Sequence, residues 1–474
     1  MGSVVSLKDF KRYAAGKPSR SGGDWRPVDS GINDLISMAG PTVRAKVRQL
    51  IRDFPYFARA KRIITDFTVG EGISLQSRAS GADGKYNKRL AQQIEDGYRW
   101  FCDEADIAGK LHLKEMERLS RDQDTECGEY FYIKTRSKNR NRYVPLALQM
   151  YEADWLTTYG AQVKNRNHRI EQGVEFHAET GEVKAYHFTD PNGYGKPQRI
   201  EADQVIHGFE TLRPGQLRGI SPFTPGVIVT EDLKDCMEGE IDGFKYASKW
   251  LAIVKSMDPV ARQKALTTKE ANFLQPIEEL ENGIIEYVNP GEDVHLMANP
   301  RPSGNLEPFV RLILSMLSVS TGVPYELLSG DYHCLNWAVI KVVRADFKHV
   351  LKPVSARHIR QNCQPIFRAF MDDAVLSNRL NIPGYFFNPY PYLKAVWQPP
   401  VADPVDKLRD VKADIEEMQQ NLRSPQEVVA ARGRQLEDVL DEIADAKKMM
   451  KDRGLTMEEV STALANNPAA LQKD

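Results

Sequence analysis

Two carboxylates two residues apart, Asp122 and Asp124 in the run Asp122-Gln123-Asp124-Thr125, are the nearest this chain comes to a nucleophilic pair. In aspartate-nucleophile phosphatases the first carboxylate attacks phosphorus and the second works as acid and base, which requires both at the end of a buried strand. Residues Met116 to Arg121 are instead polar and helically spaced, and no apolar strand leads in, so the pair reads as a solvated helix end. The nine histidines do not cluster. His177 and His187 flank a hairpin and could face each other, but a metal would need a third ligand and none is evident. The five cysteines, Cys102, Cys127, Cys236, Cys334 and Cys363, lack zinc-type spacing and read as free thiols of a reducing compartment. There is no Gly-rich Walker loop, so the chain is not itself an ATP-driven motor. No catalytic residue, metal site or cofactor is expected.

The elements that would carry any function are easier to place. A chain of 474 residues is too long for one core and suggests two to four domains. A net charge of -1 gives no case for a general nucleic-acid binder, yet residues 1–70 hold thirteen Lys or Arg against six Asp or Glu. Residues 1–40 read as a mobile basic arm. Helices are expected over Thr42 to Thr68, broken at Pro55, then over Asp83 to Ala108 and His112 to Asp124. Strands follow at Tyr130 to Thr135, Leu146 to Tyr151, Val174 to Phe176, Val183 to Phe188 and Gln204 to Phe209, making an α+β body to about residue 220. The run Arg213-Pro214-Gly215-Gln216-Leu217-Arg218-Gly219-Ile220-Ser221-Pro222-Phe223 reads as a strand-to-helix corner, with Ser221 as N-cap and Pro222 at the first helical position. A helix is expected from Ser221 to Ser256, with Val229, Leu233, Met237, Ile241, Phe244, Ala247, Leu251 and Val254 in one stripe. Asp258-Pro259 would break it, and an insertion with a hairpin of Ile284 to Val288 and Val294 to Met297 precedes a second helix, Leu306 to Thr321. Gly322 to Asn336 reads as a loop and Trp337 to Leu376 as a helix kinked near Pro353. A charged helical tail follows Asp403, and no apolar run is long enough for a membrane span or a signal peptide.

Several segments, in order, resemble lambda-type phage portal proteins. Phe57 to Ala60, Val69-Gly70-Glu71-Gly72-Ile73, Cys127-Gly128-Glu129-Tyr130-Phe131, Leu148 to Asp154 and Gln172-Gly173-Val174-Glu175-Phe176 match the pattern, as does the corner at 213–223. So do Tyr325 to Tyr332 with Asn336-Trp337, Trp397-Gln398-Pro399-Pro400 with Asp403-Pro404, and Ser424 to Gly433, so the likeness spans roughly residues 45–455. Ala338-Val339 departs from it, since the family tends to place small hydroxyl residues after the Asn-aromatic pair.

The resemblance implies an α+β portal fold assembled as a ring, usually of twelve subunits, through which double-stranded DNA enters and leaves a capsid. It divides the chain into an arm (1–40), an α/β wing (41–220), a stem helix (221–256), a clip (257–304), a second stem helix (305–322), a tunnel loop (323–336), a channel helix with wing return (337–402) and a helical crown with tail (403–474). Expected partners are other copies of the chain, double-stranded DNA, the terminase large subunit, the major capsid protein and scaffold, and head-tail connector proteins, with no membrane. The protein is expected in the virion at the portal vertex, after synthesis in the host cytoplasm. Asp331, Tyr332, His333 and Asn336 gain a channel-lining role only from the resemblance; as bare sequence they are a turn and a helix cap. Lys341, Arg344, Lys348 and Lys352 share one helix face, expected opposite Ile340, Val343, Phe347 and Val350, and three readings stay open for them: DNA phosphate, a neighbouring subunit's acids, or water. The alternative for the whole chain is a nucleic-acid-processing or phosphate-handling enzyme on an α+β domain.

Overall fold

The computed structural model describes residues 30–81, 84–163, 165–189, 196–247, 252–256, 292–296, 306–333, 336–399, 407–430, 432, 434 and 436–452. The expected arm up to residue 29, nearly all of the insertion including the strand at 284–288, Cys334, and the tail beyond 452 lie outside them. Helix α1 (Ile32–Asp53) begins inside the segment expected to be an arm and carries Pro41 in its body. Phe54 then takes an extended conformation, as a residue before proline must, and α2 (Pro55–Thr68) starts with Pro55 at its first position. After β1 (Ser74–Ser77) come α3 (Lys88–Glu104) and α4 (Leu113–Glu126). His112 caps α4: its Nδ1 accepts from Lys114 N, while the Glu115 carboxylate accepts from His112 N.

Strands β2 (Glu129–Arg136), β3 (Leu146–Tyr151) and β8 (Val205–Phe209) form an antiparallel sheet with β2 central, Phe131 lying opposite both Tyr151 and His207. A meander of β4 (His168–Glu171), β5 (Val174–His177), β6 (Val183–Phe188) and β7 (Gln198–Glu201) makes a second sheet. The expected hairpin of residues 174–188 is its centre, with Val174 opposite Tyr186. His177 does not meet His187: its ring lies 5.9 Å from that of His168, and His187 binds Glu175 at 3.1 Å.

Helix α5 (Gly226–Ala247) starts four residues later than expected. The reason is Pro225. A helix capped by Ser221 needs the N–H of residue 225 for its first bond, and proline has none. Ser221 O accepts instead from Thr224 N at 3.1 Å and from its hydroxyl at 2.6 Å. The helix also ends early. Ala252–Ser256 is a strand, β9, paired antiparallel with β10 (Glu292–Leu296), so the expected continuous helix to Ser256 is corrected. Helices α6 (Leu306–Thr321), α7 (Tyr325–Ser329) and α8 (Trp337–His358) follow. Residues Ile359–Cys363 widen into a π-turn before α9 (Gln364–Leu376), with Gln364 N donating to Ile359 O. Pro365 cannot return a bond to the preceding turn, so the irregularity sits there; Pro353 lies inside regular helix. Strand β11 (Ala395–Gln398) returns to pair with β1, and α10 (Lys407–Gln419), α11 (Pro425–Ala430) and α12 (Leu436–Asp452) end the described chain.

Three apolar cores result. One joins α3, α4, the β2 sheet and α9 around Phe101, Tyr130 and Phe370. A second joins α1, α2, α5, α6 and α8 around Phe57, Phe223, Leu317 and Phe347. The third underlies the meander around Phe131 and Phe188. Where they meet, Glu129 is fully buried. Arg218 Nε binds both its oxygens at 2.8 Å, Gly219 N donates at 3.0 Å, His207 Nε2 lies at 3.2 Å and Arg44 Nη1 at 3.6 Å. Burial alone would raise this carboxyl's pKa, but the Arg218 charge and the His207 hydrogen bond hold it well below the usual range. Removing one partner of such a pair costs about 3–5 kcal/mol. Arg218→Met should therefore lower the free energy of unfolding measured by urea titration by an amount of that order, and a loss under about 1 kcal/mol would show that the cluster is not a structural joint.

A second buried carboxylate has the opposite balance. Glu117 accepts from Ile73 N at 3.0 Å and from the Cys363 thiol at 3.7 Å, and burial pushes its pKa up to about 7. The folded chain thus holds this proton more tightly than the unfolded one, so its contribution to stability is full below pH 4.5 and is lost as pH rises through about 7. Glu117→Gln should be near neutral at pH 4.5 and stabilise by up to about 3 kcal/mol at pH 8. Thermal unfolding of both proteins at the two pH values tests this; equal differences at both would refute it.

Candidate functional site

The segment from Gly322 to Asn336 is less of a loop than its sequence suggests. Val323, Leu327 and Leu328 are buried in the second core, and residues 325–329 form the short helix α7. Ser318 Oγ donates to Val323 O at 2.6 Å, closing the end of α6, and Arg59 Nε donates to Leu327 O at 2.8 Å. Gly330 ends α7 in the left-handed region at φ 74°, where its N–H returns to Glu326 O at 3.0 Å. A Cβ there would also meet the Arg59 guanidinium at 3.4 Å.

Beyond Gly330 lies the tip, where Tyr332, His333 and Asn336 are exposed. Asp331 anchors it: its carboxylate accepts from His333 N at 3.1 Å and pairs with Arg311 of α6 at 3.1 Å, and its own N–H donates to Ser329 Oγ. The His333 N–H and then Arg311 lower its pKa. Asn336 Oδ1 caps α8 by accepting from Ala338 N at 3.5 Å. Of the four residues assigned to the channel, Asp331 and Asn336 therefore position the backbone, while Tyr332 and His333 present side chains outward.

The helix that follows packs differently from its expected pattern. Its buried face is Phe347, Leu351, Ser355 and His358, with the Phe67 ring meeting that of Phe347 edge-on at 5.0 Å. Val350 is 57% exposed, as are Val339 and Val342 in large part, so Val350 does not belong to the packed face. Lys341, Arg344, Lys348 and Lys352 run along the flank of that face, about a quarter turn round rather than opposite it. Arg344 sits over the Phe67 ring at 5.8 Å. Burial and the neighbouring Lys352 lower the pKa of Lys348. Among the described residues, Arg344, Lys348 and Lys352 form no ion pair. Helix α6 also carries an apolar outer stripe, Phe309, Leu312, Met316 and Val319, of which Val319 is 84% exposed. The spacing of three, four and three was legible in the sequence, but its exposure was not.

The aspartate pair is helical as expected, but Asp124 is not solvated and Asp122 is only half-buried. Asp124 is buried, ion-paired with Arg121 and with Arg357 at 2.8 Å, and Asp122 accepts from Thr65 Oγ1 at 2.6 Å. Both are occupied in packing α4 against α2 and α8. Among the described residues no group of three or more His, Cys, Asp or Glu could hold a metal ion, Cys102, Cys127, Cys236 and Cys363 are unpaired thiols, and no helix is long and apolar enough to cross a membrane.

Comparison with known proteins gives this arrangement a family. The chain is 22% identical over 464 residues to a probable portal protein of Halomonas phage phiHAP-1, covering 94% of this chain and 88% of that one. It is 20% identical to portal protein B of Escherichia phage lambda over 80% of this chain and 78% of that one. Among solved structures, a chain in the neck of a native gene transfer agent particle matches at 14% identity over 84% of this chain and 97% of that chain, with a TM-score of 0.42, too loose to carry an argument. The model of the lambda family of phage portal proteins matches residues 18–352, well over half the length. The chain therefore belongs to the lambda family of phage portal proteins.

Proposed function

We propose that copies of this chain close into a ring of twelve around a channel for double-stranded DNA, set at one vertex of the virion capsid, and that the tip at Asp331 to Asn336 lines the channel. The ring would dock the terminase large subunit during packaging, contact the major capsid protein and scaffold through its wing and basic arm, and receive head-tail connector proteins afterwards. Synthesis in the host cytoplasm and a structural rather than catalytic role complete the reading. The insertion at 257–304, with eight Asp or Glu against four Lys or Arg, is the part assigned to motor and connector docking.

One observation carries this reading. The exposed tip joins the α6–α7 turn to α8 in the chain, and both α6 and α8 carry exposed apolar side chains. Exposed Leu312, Met316 and Val319 on one helix and Val339, Val342 and Val350 on the other are faces that a neighbouring copy would cover. Two different patches meeting head to tail generate a closed ring when the rotation closes. Each tip would then recur around the axis, and many weak contacts replace a strong one, so a sliding duplex needs no tight phosphate site. The flank of Lys341, Arg344, Lys348 and Lys352 would lie beside the same interface, available to a neighbour's acids.

Leu312→Asp combined with Met316→Asp should abolish the ring, dropping the mass seen by light scattering to that of one or a few chains while helical circular dichroism is kept. A ring of unchanged mass would remove α6 from the interface. Tyr332→Ser with His333→Ser should preserve the ring, because Asp331 and Asn336 still hold the backbone. Packaged DNA length or its retention should fall; if both are normal, the tip is not in the channel.

A further inference from the structure

The α+β body holds a cavity of about 350 Å³ that none of the above uses. It lies between the β2–β3 connection, residues 137–145, and the end of α9, and Lys138, Arg140, Arg142 and Arg379 line it with no Asp or Glu among its walls. Nearby acids are already engaged: Asp373 pairs with Arg136 and accepts from Leu146 N at 2.7 Å, and Glu104 accepts from Tyr143 N at 2.8 Å. Arg379 is held by donating Nε to Tyr143 O at 2.8 Å and by lying 5.6 Å from that ring. Arg142 Nη2 reaches only a backbone carbonyl, Asp106 O, at 3.4 Å, and its buried Nε has no hydrogen-bond partner. Among the described residues none of these four cations has a carboxylate partner. The carbonyls ending α9 do not oppose an anion here, since Ala374 O accepts from Arg379 N and Leu380 N, and Asp373 O from Ser377 N.

We infer that this cavity is an oxyanion site that takes the carboxylates of an extended acidic segment of a partner protein. Guanidinium forks bind planar oxyanions in pairs, and these are pre-positioned by backbone and ring contacts rather than neutralised by internal acids. A half-open site of this size, with Lys138 and Arg140 exposed at its edge, suits a slim chain. Duplex DNA, a stiff rod bearing one charge per about 1.7 Å, is matched instead by an open row of cations. The site belongs to the core around Phe101 and Phe370, whereas the exposed tip belongs to the one around Phe57 and Phe347. The choice of a protein over the channel's DNA thus rests on the reading that the tip faces the channel.

The test uses the full-length chain, with fluorescence anisotropy of a labelled octaglutamate peptide and, separately, a labelled 20-base-pair duplex. The peptide should bind, more weakly as salt rises, and Lys138→Gln with Arg140→Gln should weaken it by about tenfold. Both side chains are exposed, so assembly mass should be unchanged. If it changes, Arg379→Gln alone is used, with the same loss expected. No peptide binding, binding indifferent to these substitutions, or duplex binding that the same substitutions abolish would each overturn the assignment. Duplex binding that survives them but is lost in the Tyr332→Ser and His333→Ser protein leaves the channel reading intact and bears on the tip alone.

Discussion

The joint between the two sheets and α5 hangs on burying one negative charge. Glu129 sits at the start of β2 with no exposure, and an unpaired carboxylate there would not stay ionised. Its partners come from distant parts of the chain: Arg44 from α1, His207 from β8, Arg218 and Gly219 from the corner that leads into α5. Arg218 also donates to Ala153 O at 2.8 Å and Gln172 O at 2.9 Å, so one guanidinium fixes the corner to both sheets. His207 completes the joint as a neutral ring, its pKa lowered by burial, with Nε2–H toward Glu129, Nδ1 toward the Tyr186 hydroxyl at 3.3 Å, and Phe131 stacked at 4.2 Å. Such a cluster adds little net stability over a well-packed apolar one, but it tolerates no other register, because any slip strands a charge.

Two glycines let the backbone come close enough for this to work. A Cβ on Gly219 would stand 2.0 Å from Gly128 O, and one on Gly128, at φ 86°, 2.1 Å from Ile220 C. The direction in which α5 leaves the wing is therefore set by a backbone-on-backbone contact with a charge lock beside it. The Gly-Glu pair at 128–129 and the Arg-Gly pair at 218–219 were visible in the sequence as separate motifs. That they are two halves of one joint was not, since nothing in local spacing pairs residues ninety positions apart.

The same distinction separates what was legible elsewhere. Leu146–Tyr151 and Val183–Phe188 are strands over the residues read, because alternation and flanking turn residues act locally. The short strands Ser74–Ser77 and Ala395–Gln398 have no such signature and exist because each pairs the other across more than three hundred residues of chain. Leu251 to Val254 continued the apolar stripe of α5 and was read as helix, yet a four-residue apolar run serves a strand equally well, and pairing with residues 292–296 decides it. Tyr325-Glu326-Leu327-Leu328-Ser329-Gly330 carries a helix with its glycine stop, hidden in the sequence by the loop-like residues on either side. At the site, the cap residue Asn336 and the turn residue Asp331 were readable as types. Their separation into backbone holders and outward-facing neighbours was not.

What the single chain leaves unfinished is as informative as what it completes. Its second core is closed on one side by Phe57, Phe223 and Leu317, yet α6 and α8 each keep a second apolar face in water. Singly exposed apolar side chains need no account, but two aligned stripes flanking one anchored tip do. Covering them by folding back would consume the tip's own support, since Arg311 on α6 holds Asp331 and Asn336 starts α8. Covering them by another copy costs nothing inside the wing, because the Glu129 joint and both sheets are already satisfied. The rigid joint and the uncovered helices are thus complementary under the proposed ring: one fixes the frame of each copy, and the other supplies the two apolar faces through which neighbours would meet.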